Sequence, residues 1–122
     1  MAIRRVMEGE TLHLYDDEEK ILSMQESQFN EHTIKIVLEG ALTSLVVHDF
    51  LDELTALTYL GLDLVIDFEK VTYLSSGCTQ VLIDIQQKMD AQSKGQLLLR
   101  KMPDSLMREM ESTGASELLD VE

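Results

Sequence analysis

A strand–turn–helix segment between residues 64 and 89 constrains the fold more than any other part of the chain. It begins with an apolar run at residues 64–68 and continues, after Glu69 and Lys70, with a second apolar patch at residues 71–74. A short, almost continuous apolar run is typical of a strand buried on both faces of a parallel sheet. After this strand the apolar residues recur at helical spacing, which predicts a helix with a buried stripe of Cys78, Val81, Leu82, Ile85 and Met89.

The two serines between this strand and this helix, Ser75 and Ser76, are the candidate functional residues. Free backbone N–H groups and the positive end of the helix dipole lie beside them, because a helix begins there. A hydroxyl group at this position can cap the helix or carry a phosphate. The residues alone leave both interpretations open: a helix cap, or a phosphorylation site at which added negative charge changes the binding of a partner.

Patterns in the flanking sequence predict the other elements. Residues 11–15 alternate weakly and are predicted to form a short edge strand, and residues 21–29 and 33–39 are predicted to form a hairpin. A helix with an apolar stripe follows and should end at Gly61, a short strand should cover residues 96–100, and a last helix should begin after Pro103. This order of elements favours an α/β fold, with a mixed sheet of four to five strands covered by about four helices.

Charge and composition narrow the class of protein. The formal net charge of −13, from 23 acidic and 10 basic residues, disfavours binding to nucleic acid or to anionic lipid. No apolar stretch approaches the ~20 residues of a membrane span, so no membrane insertion is expected. The single cysteine excludes an internal disulfide and favours a reducing compartment, so we expect a cytoplasmic protein. The sequence predicts no particular oligomeric state.

Catalysis by a nucleophile at the serine turn is not expected. Ser75, Ser76 and Cys78 occupy a type of turn where nucleophiles often lie, but a catalytic serine or cysteine needs a base within hydrogen-bond reach. No histidine lies in a loop that clearly returns to this turn; the three in the chain are His13, His32 and His48. We therefore predict a protein that is not an enzyme, in which Cys78 is a small packing residue.

A metal site or a bound cofactor is also not expected. Asp67 and Glu69 lie two residues apart on the predicted central strand, so their carboxylates share a face and could meet a cation. No further oxygen ligands are indicated, and Asp67 is instead expected to be paired within the protein because it interrupts an apolar run. A nucleotide or other small ligand at the serine turn is a weak alternative, since no glycine-rich phosphate loop is present.

Taken together, these segments resemble the STAS domain, the fold of anti-sigma-factor antagonists. The resemblance covers residues 21–121. We predict that residues 21–122 form the domain and that residues 1–20 are an N-terminal extension or an extra edge strand. In this family the turn reads Asp-Ser-Ser-Gly or Asp-Thr-Ser-Gly, and the residue before the glycine is phosphorylated by a partner anti-sigma serine kinase. The resemblance assigns that residue to Ser76, with Ser75 as the second choice. It implies a partner surface of Ser75, Ser76, Gly77, Thr79 and Gln80.

The chain departs from the family pattern on both sides of the turn. The family's aspartate is Leu74 here, and the residues after the glycine, commonly Leu-Gly, are Cys78 and Thr79. In the antagonists the unphosphorylated form binds the kinase and frees a sigma factor, and the phosphorylated form releases the kinase. Stand-alone STAS domains also resemble the accessory subunit that braces the cytoplasmic ATPase of lipid-transport ABC systems without a phosphorylation cycle. Leu74 favours this second possibility.

Overall fold

Six strands form one mixed sheet in the order of the sequence. The structure, a computed structural model, describes residues 3–122. Strands β1 to β4 are antiparallel to one another in turn, and β5 and β6 continue the sheet in parallel with β4. The strands are β1 (Arg4–Glu8), β2 (Thr11–Asp16), β3 (Glu19–Asn30), β4 (Thr33–Leu42), β5 (Asp63–Leu74) and β6 (Leu97–Arg100).

Three α-helices follow the strands of the parallel half. The helices are α1 (Val47–Thr58), α2 (Ser76–Gln92) and α3 (Asp104–Ser112). Two short 3₁₀ helices, Ser44–Val46 and Ala115–Glu117, precede α1 and follow α3. Parallel strands joined through a helix have right-handed connections, so the β4–α1–β5 and β5–α2–β6 units carry α1 and α2 on the same face of the sheet.

The predicted mixed α/β architecture is confirmed, with two differences in number. The described residues form six strands rather than four to five, and three α-helices with two 3₁₀ helices rather than about four helices. The hairpin predicted from residues 21–39 is present as β3 and β4. Residues 11–15 lie in a strand, but the edge position predicted for them is wrong because β1 pairs on their outer side.

The core lies between the helix-bearing face of the sheet and the helices. Buried residues of neighbouring strands are in register, as in the pairs Ile34 with Leu64 and Ile36 with Ile66. The largest fully buried side chains are Phe50 of α1 and Phe68 of β5, and residues of β2, β3 and α2 complete the same cluster. Every strand from β2 to β6 contributes buried residues, and a close-packed core of this kind is rigid. Helix α2 follows β5 directly, so this core fixes the position of its N-terminus.

Asp67 has the intramolecular partners expected of an acid inside an apolar strand. Its Oδ1 accepts a hydrogen bond of 2.9 Å from the backbone N–H of Glu69. The ammonium groups of Lys35 and Lys101 lie 4.0 Å and 3.9 Å from its Oδ2. These contacts offset the cost of burying the carboxylate.

Candidate partner-binding site

Ser75 is a buried helix cap. Its Oγ accepts a hydrogen bond of 3.2 Å from the backbone N–H of Cys78, and its backbone is extended, as expected of an N-cap residue. The Ser75 N–H donates to the carbonyl of Leu42 over 2.8 Å, which ties the cap to the end of β4. With 6% of its surface exposed, Ser75 has a structural role in the turn.

Ser76 differs from its neighbour in exposure and position. It is the first residue of α2 and is exposed to solvent. The helix dipole and the unpaired N–H groups of the first turn favour a negative group at this point, so a phosphate on the Ser76 hydroxyl would have a favourable electrostatic environment. Ser76 and Ser75, the first and second choices from the resemblance, thus differ clearly in burial.

Gly77 lies where α2 passes close to the start of α1. A Cβ atom at this position would lie 2.9 Å from Cγ2 of Val47, which is closer than carbon atoms normally approach. Gly77 belongs to the first turn of α2 and is not among the residues with positive φ. The glycine is therefore required by the packing of α2 against α1 and not by a glycine-only backbone conformation.

Thr79 and Gln80 complete the first turn of α2. The Thr79 hydroxyl donates to the carbonyl of Ser75 over 3.1 Å, and the side chain is half-buried. Gln80 is exposed, and its Nε2 donates to Oδ1 of Asp84 over 2.9 Å. The five residues that the resemblance assigns to a partner surface thus lie together, with Ser76 and Gln80 exposed and Ser75 buried beneath them.

A cleft of about 370 Å³ opens beside Ser76 between α2 and the C-terminal segment. Leu74 and Ile83 supply apolar lining from the sheet and from α2, and Leu118, which is 58% exposed, supplies it from the opposite side. No pattern in the sequence indicates this cleft, because it forms only when α3 and the second 3₁₀ helix pack beside α2. Its residues from that side are Glu109, Met110, Thr113, Ala115 and Leu118.

Leu74 changes the chemistry of the turn at the position of the family's aspartate. It is 6% exposed and lines the cleft, so an apolar surface lies next to Ser76 where the family has a carboxylate. Leu45, in the 3₁₀ helix before α1, adds a further exposed apolar side chain near the start of α2. Small polar groups and apolar side chains thus lie side by side at the start of α2.

Cys78 and His13, candidates from the sequence for a nucleophile and a base, make structural contacts instead. Burial raises the pKa of the Cys78 thiol, opposed in part by a hydrogen bond with Ser75, so at neutral pH this residue is a protonated packing group. His13 lies on β2, where its Nδ1 is 2.7 Å from the hydroxyl of Ser23. Within residues 3–122 no group of three or more acidic, histidine or cysteine side chains could hold a metal ion. In the same residues no helix is both long and apolar enough to cross a membrane.

The order of the sheet and the helices that follow its parallel strands form a mixed α/β domain of the STAS type. The sequence matches the family described as "Mlab, STAS domain" over residues 26–120. The chain belongs to this family, so the resemblance inferred from its motifs is confirmed.

Solved structures of anti-sigma factor antagonists share the fold at low sequence identity. Unphosphorylated SpoIIAA matches with a TM-score of 0.68 and 13% identity over 81% of this chain and 87% of that chain. Phosphorylated SpoIIAA of Bacillus matches with a TM-score of 0.63 and 14% identity over 81% and 90%. An antagonist from Mycobacterium paratuberculosis matches with a TM-score of 0.69 and 15% identity over 82% and 84%. No curated protein matches the sequence significantly.

Proposed function

We propose that this STAS domain is a cytoplasmic, non-enzymatic regulatory protein of the anti-sigma-factor antagonist type, switched by phosphorylation of Ser76. Its partner is an anti-sigma serine kinase or a related protein, bound through the first turn of α2. The observation that carries the proposal is the contrast between the exposed Ser76 and the buried cap Ser75. A kinase can reach the Ser76 hydroxyl without unfolding the turn, whereas the Ser75 hydroxyl already accepts a hydrogen bond from the backbone of α2.

The proposed switch acts through charge at the mouth of the cleft. A phosphate on Ser76 would bring nearly two negative charges to a surface of a protein that already carries −13. The fold tolerates this group because it lies at the N-terminus of α2, where the dipole favours an anion. A partner seated on the adjacent apolar lining, Leu74 and Leu118, would have to dehydrate that phosphate, so binding should weaken.

The decisive experiment is the intact mass of the protein isolated from its own cells, beside two alanine variants. We expect the wild-type protein to carry one phosphate, Ser76→Ala to carry none, and Ser105→Ala to behave as wild type. Ser105 is the matched control because it is also an exposed serine in the first turn of a helix, α3. A protein that carries no phosphate in any growth phase would contradict the proposal.

A binding measurement tests the consequence of the modification. We expect Ser76→Asp to weaken the affinity for the co-purifying kinase by about tenfold or more, which corresponds to about 1.4 kcal/mol. Ser105→Asp, with the same change of charge on α3, should leave the affinity unchanged. Equal affinities for wild type and Ser76→Asp would show that charge at this turn does not control the complex.

A second candidate function, a subunit that braces a transporter ATPase, is favoured by Leu74. The buried leucine replaces the family's aspartate at the serine turn, and the matching family is described by the name Mlab and not as an antagonist. A subunit that supports an ATPase permanently needs a constant apolar contact and does not need a site that is reversibly phosphorylated. Stable co-purification with an ATPase that Ser76→Asp does not disrupt would support the brace and exclude the switch.

A further inference from the structure

The outer edge of β1 is an open edge of the sheet. Within residues 3–122, β1 pairs with β2 only, so one side of its backbone has no strand neighbour. Glu8 pairs with Thr11 across the two-residue turn Gly9-Glu10, in which Gly9 has φ 62. The pair that closes such a turn exchanges hydrogen bonds, and the direction of these bonds alternates along the strand. The N–H and C=O groups of Arg5 and Met7 therefore point to the open edge.

This edge lacks some of the features that usually prevent pairing. Natural edge strands are protected by shortness, charged side chains, proline, bulges or covering elements, and β1 has the first two because it is five residues long and three of them are charged. β1 contains no proline, and its register with β2 runs without a bulge from Arg4 opposite Tyr15 to Glu8 opposite Thr11. Met7 is 64% exposed, so an apolar side chain also lies at the edge.

We propose that a second copy of this chain docks on β1, with the two β1 strands antiparallel about a twofold axis at Val6. In this register Arg5 of one copy and Met7 of the other exchange backbone hydrogen bonds through the groups that point outward. Arg4 of one copy lies opposite Glu8 of the other, and the symmetry repeats the pair. In this register the two ends of β1, Arg4 and Glu8, are thus complementary in charge.

The side chains on each face of β1 fit this arrangement. Arg4 stacks over the ring of Tyr15 at 4.5 Å, which holds its guanidinium group on the face of the sheet that it shares with Glu8. Directly opposed residues without mutual backbone bonds approach most closely, so Arg4 and Glu8 of the second copy would form a close pair. On the other face the aliphatic stem of Arg5 would cover Met7 of the second copy.

The charge of the whole chain limits the strength of this dimer. Each copy carries −13, and the repulsion between two copies opposes association. β1 contributes two of the ten basic residues and one acid. Across the axis each Arg4 is opposite a Glu8, and each Arg5 is already bound by Asp49 and Glu53 of its own copy. We therefore expect a monomer–dimer equilibrium that shifts with protein concentration.

Charge reversal and charge exchange test the register. Sedimentation equilibrium of the full chain should show a dimer that is weakened about tenfold or more by Arg4→Glu and by Glu8→Arg, because each change opposes like charges twice across the axis. The double variant Arg4→Glu/Glu8→Arg should recover the wild-type association. A wild-type protein that stays monomeric over the whole concentration range, or a double variant no better than either single one, would overturn the proposal.

A backbone variant tests the edge directly. Met7→Pro removes an N–H that points away from β2, so it should abolish the dimer while leaving the β1–β2 ladder and the thermal stability nearly unchanged. Association equal to that of the wild type would show that the dimer, if present, does not use this edge. The measurement does not involve Ser76, so its outcome is independent of the phosphorylation switch.

Discussion

Gly77 shows how one residue joins the candidate site to the core. The resemblance assigns it to the partner surface, but its lack of a side chain serves the contact between α2 and α1. Because a Cβ atom on this residue would come within 2.9 Å of Cγ2 of Val47, any larger residue must displace the valine or the helix. Ser76 would move with it, because it is the preceding residue of the same helical turn.

Gly77→Ala should therefore destabilise the protein even though alanine favours helix. Overpacking costs ~1–3 kcal/mol, and the better helix propensity returns ~1 kcal/mol, so the net loss in urea unfolding should be up to about 2 kcal/mol. In a Val47→Ala background the added methyl group has space, and Gly77→Ala should be neutral or stabilising. The same cost in both backgrounds would exclude the contact with Val47 as the reason for the glycine.

At the scale of elements, an ionic cluster fastens the N-terminal strands to α1. Arg5 of β1 binds Asp49 over 2.6 Å and Glu53 over 2.5 Å, although 44 and 48 residues separate them in the sequence. Glu26 of β3 lies beside the same cluster. Burial and then a hydrogen bond with Glu53 raise the pKa of Glu26 from 4.5 to about 7.

This pKa shift gives stability a defined pH dependence. Folded Glu26 holds its proton up to about pH 7, whereas the unfolded residue loses it near pH 4.5, so the stabilisation is complete below pH 4.5 and is lost as the pH rises through 7. Glu26→Gln imitates the protonated form and should raise Tm by a few degrees at pH 8, with the difference vanishing at acidic pH. Solvent reduces the effect because Glu26 is half-buried.

The exposed turn residue Glu31 provides the control for this measurement. Glu31→Gln removes the same charge from the chain but lies outside the cluster, so it should leave the pH dependence of Tm unchanged. If Glu26→Gln and Glu31→Gln shifted Tm equally at pH 8, the effect would come from net charge and not from the cluster.

The elements with strong local patterns were predictable, and those defined by distant contacts were not. Helix α2 ends at Gln92 and carries the predicted buried stripe, since its apolar residues recur at helical spacing. β1 has no such pattern: its five residues are mostly exposed, and only the pairing with β2 and the bonds of Arg5 define it. The sequence does not indicate the cleft beside Ser76 for the same reason, because Glu109 and Leu118 approach α2 only in the folded chain.

At the scale of the whole molecule, the N-terminal strands extend the hydrophobic core beyond the segment that matches the family. The family match begins at residue 26, yet Leu12, Leu14 and Leu22 before it are among the buried residues of the single core cluster. Leu14 and Leu22 face each other across β2 and β3, and neither has exposed surface. We therefore expect the N-terminal strands and the STAS segment to unfold together.

Leu14→Ala tests this expectation. If residue 14 belongs to the common core, the substitution should cost ~2–5 kcal/mol, as Ile66→Ala in β5 should, because both side chains are fully buried. Leu60→Ala, at a leucine that is 57% exposed, should cost less than about 0.5 kcal/mol. Urea unfolding followed by circular dichroism and by tyrosine fluorescence should give one coincident transition for each variant. An early transition confined to Leu14→Ala would mean that β1 and β2 fold separately from the domain. The open edge of β1 would then belong to a separately folding N-terminal segment and not to the sheet of the domain.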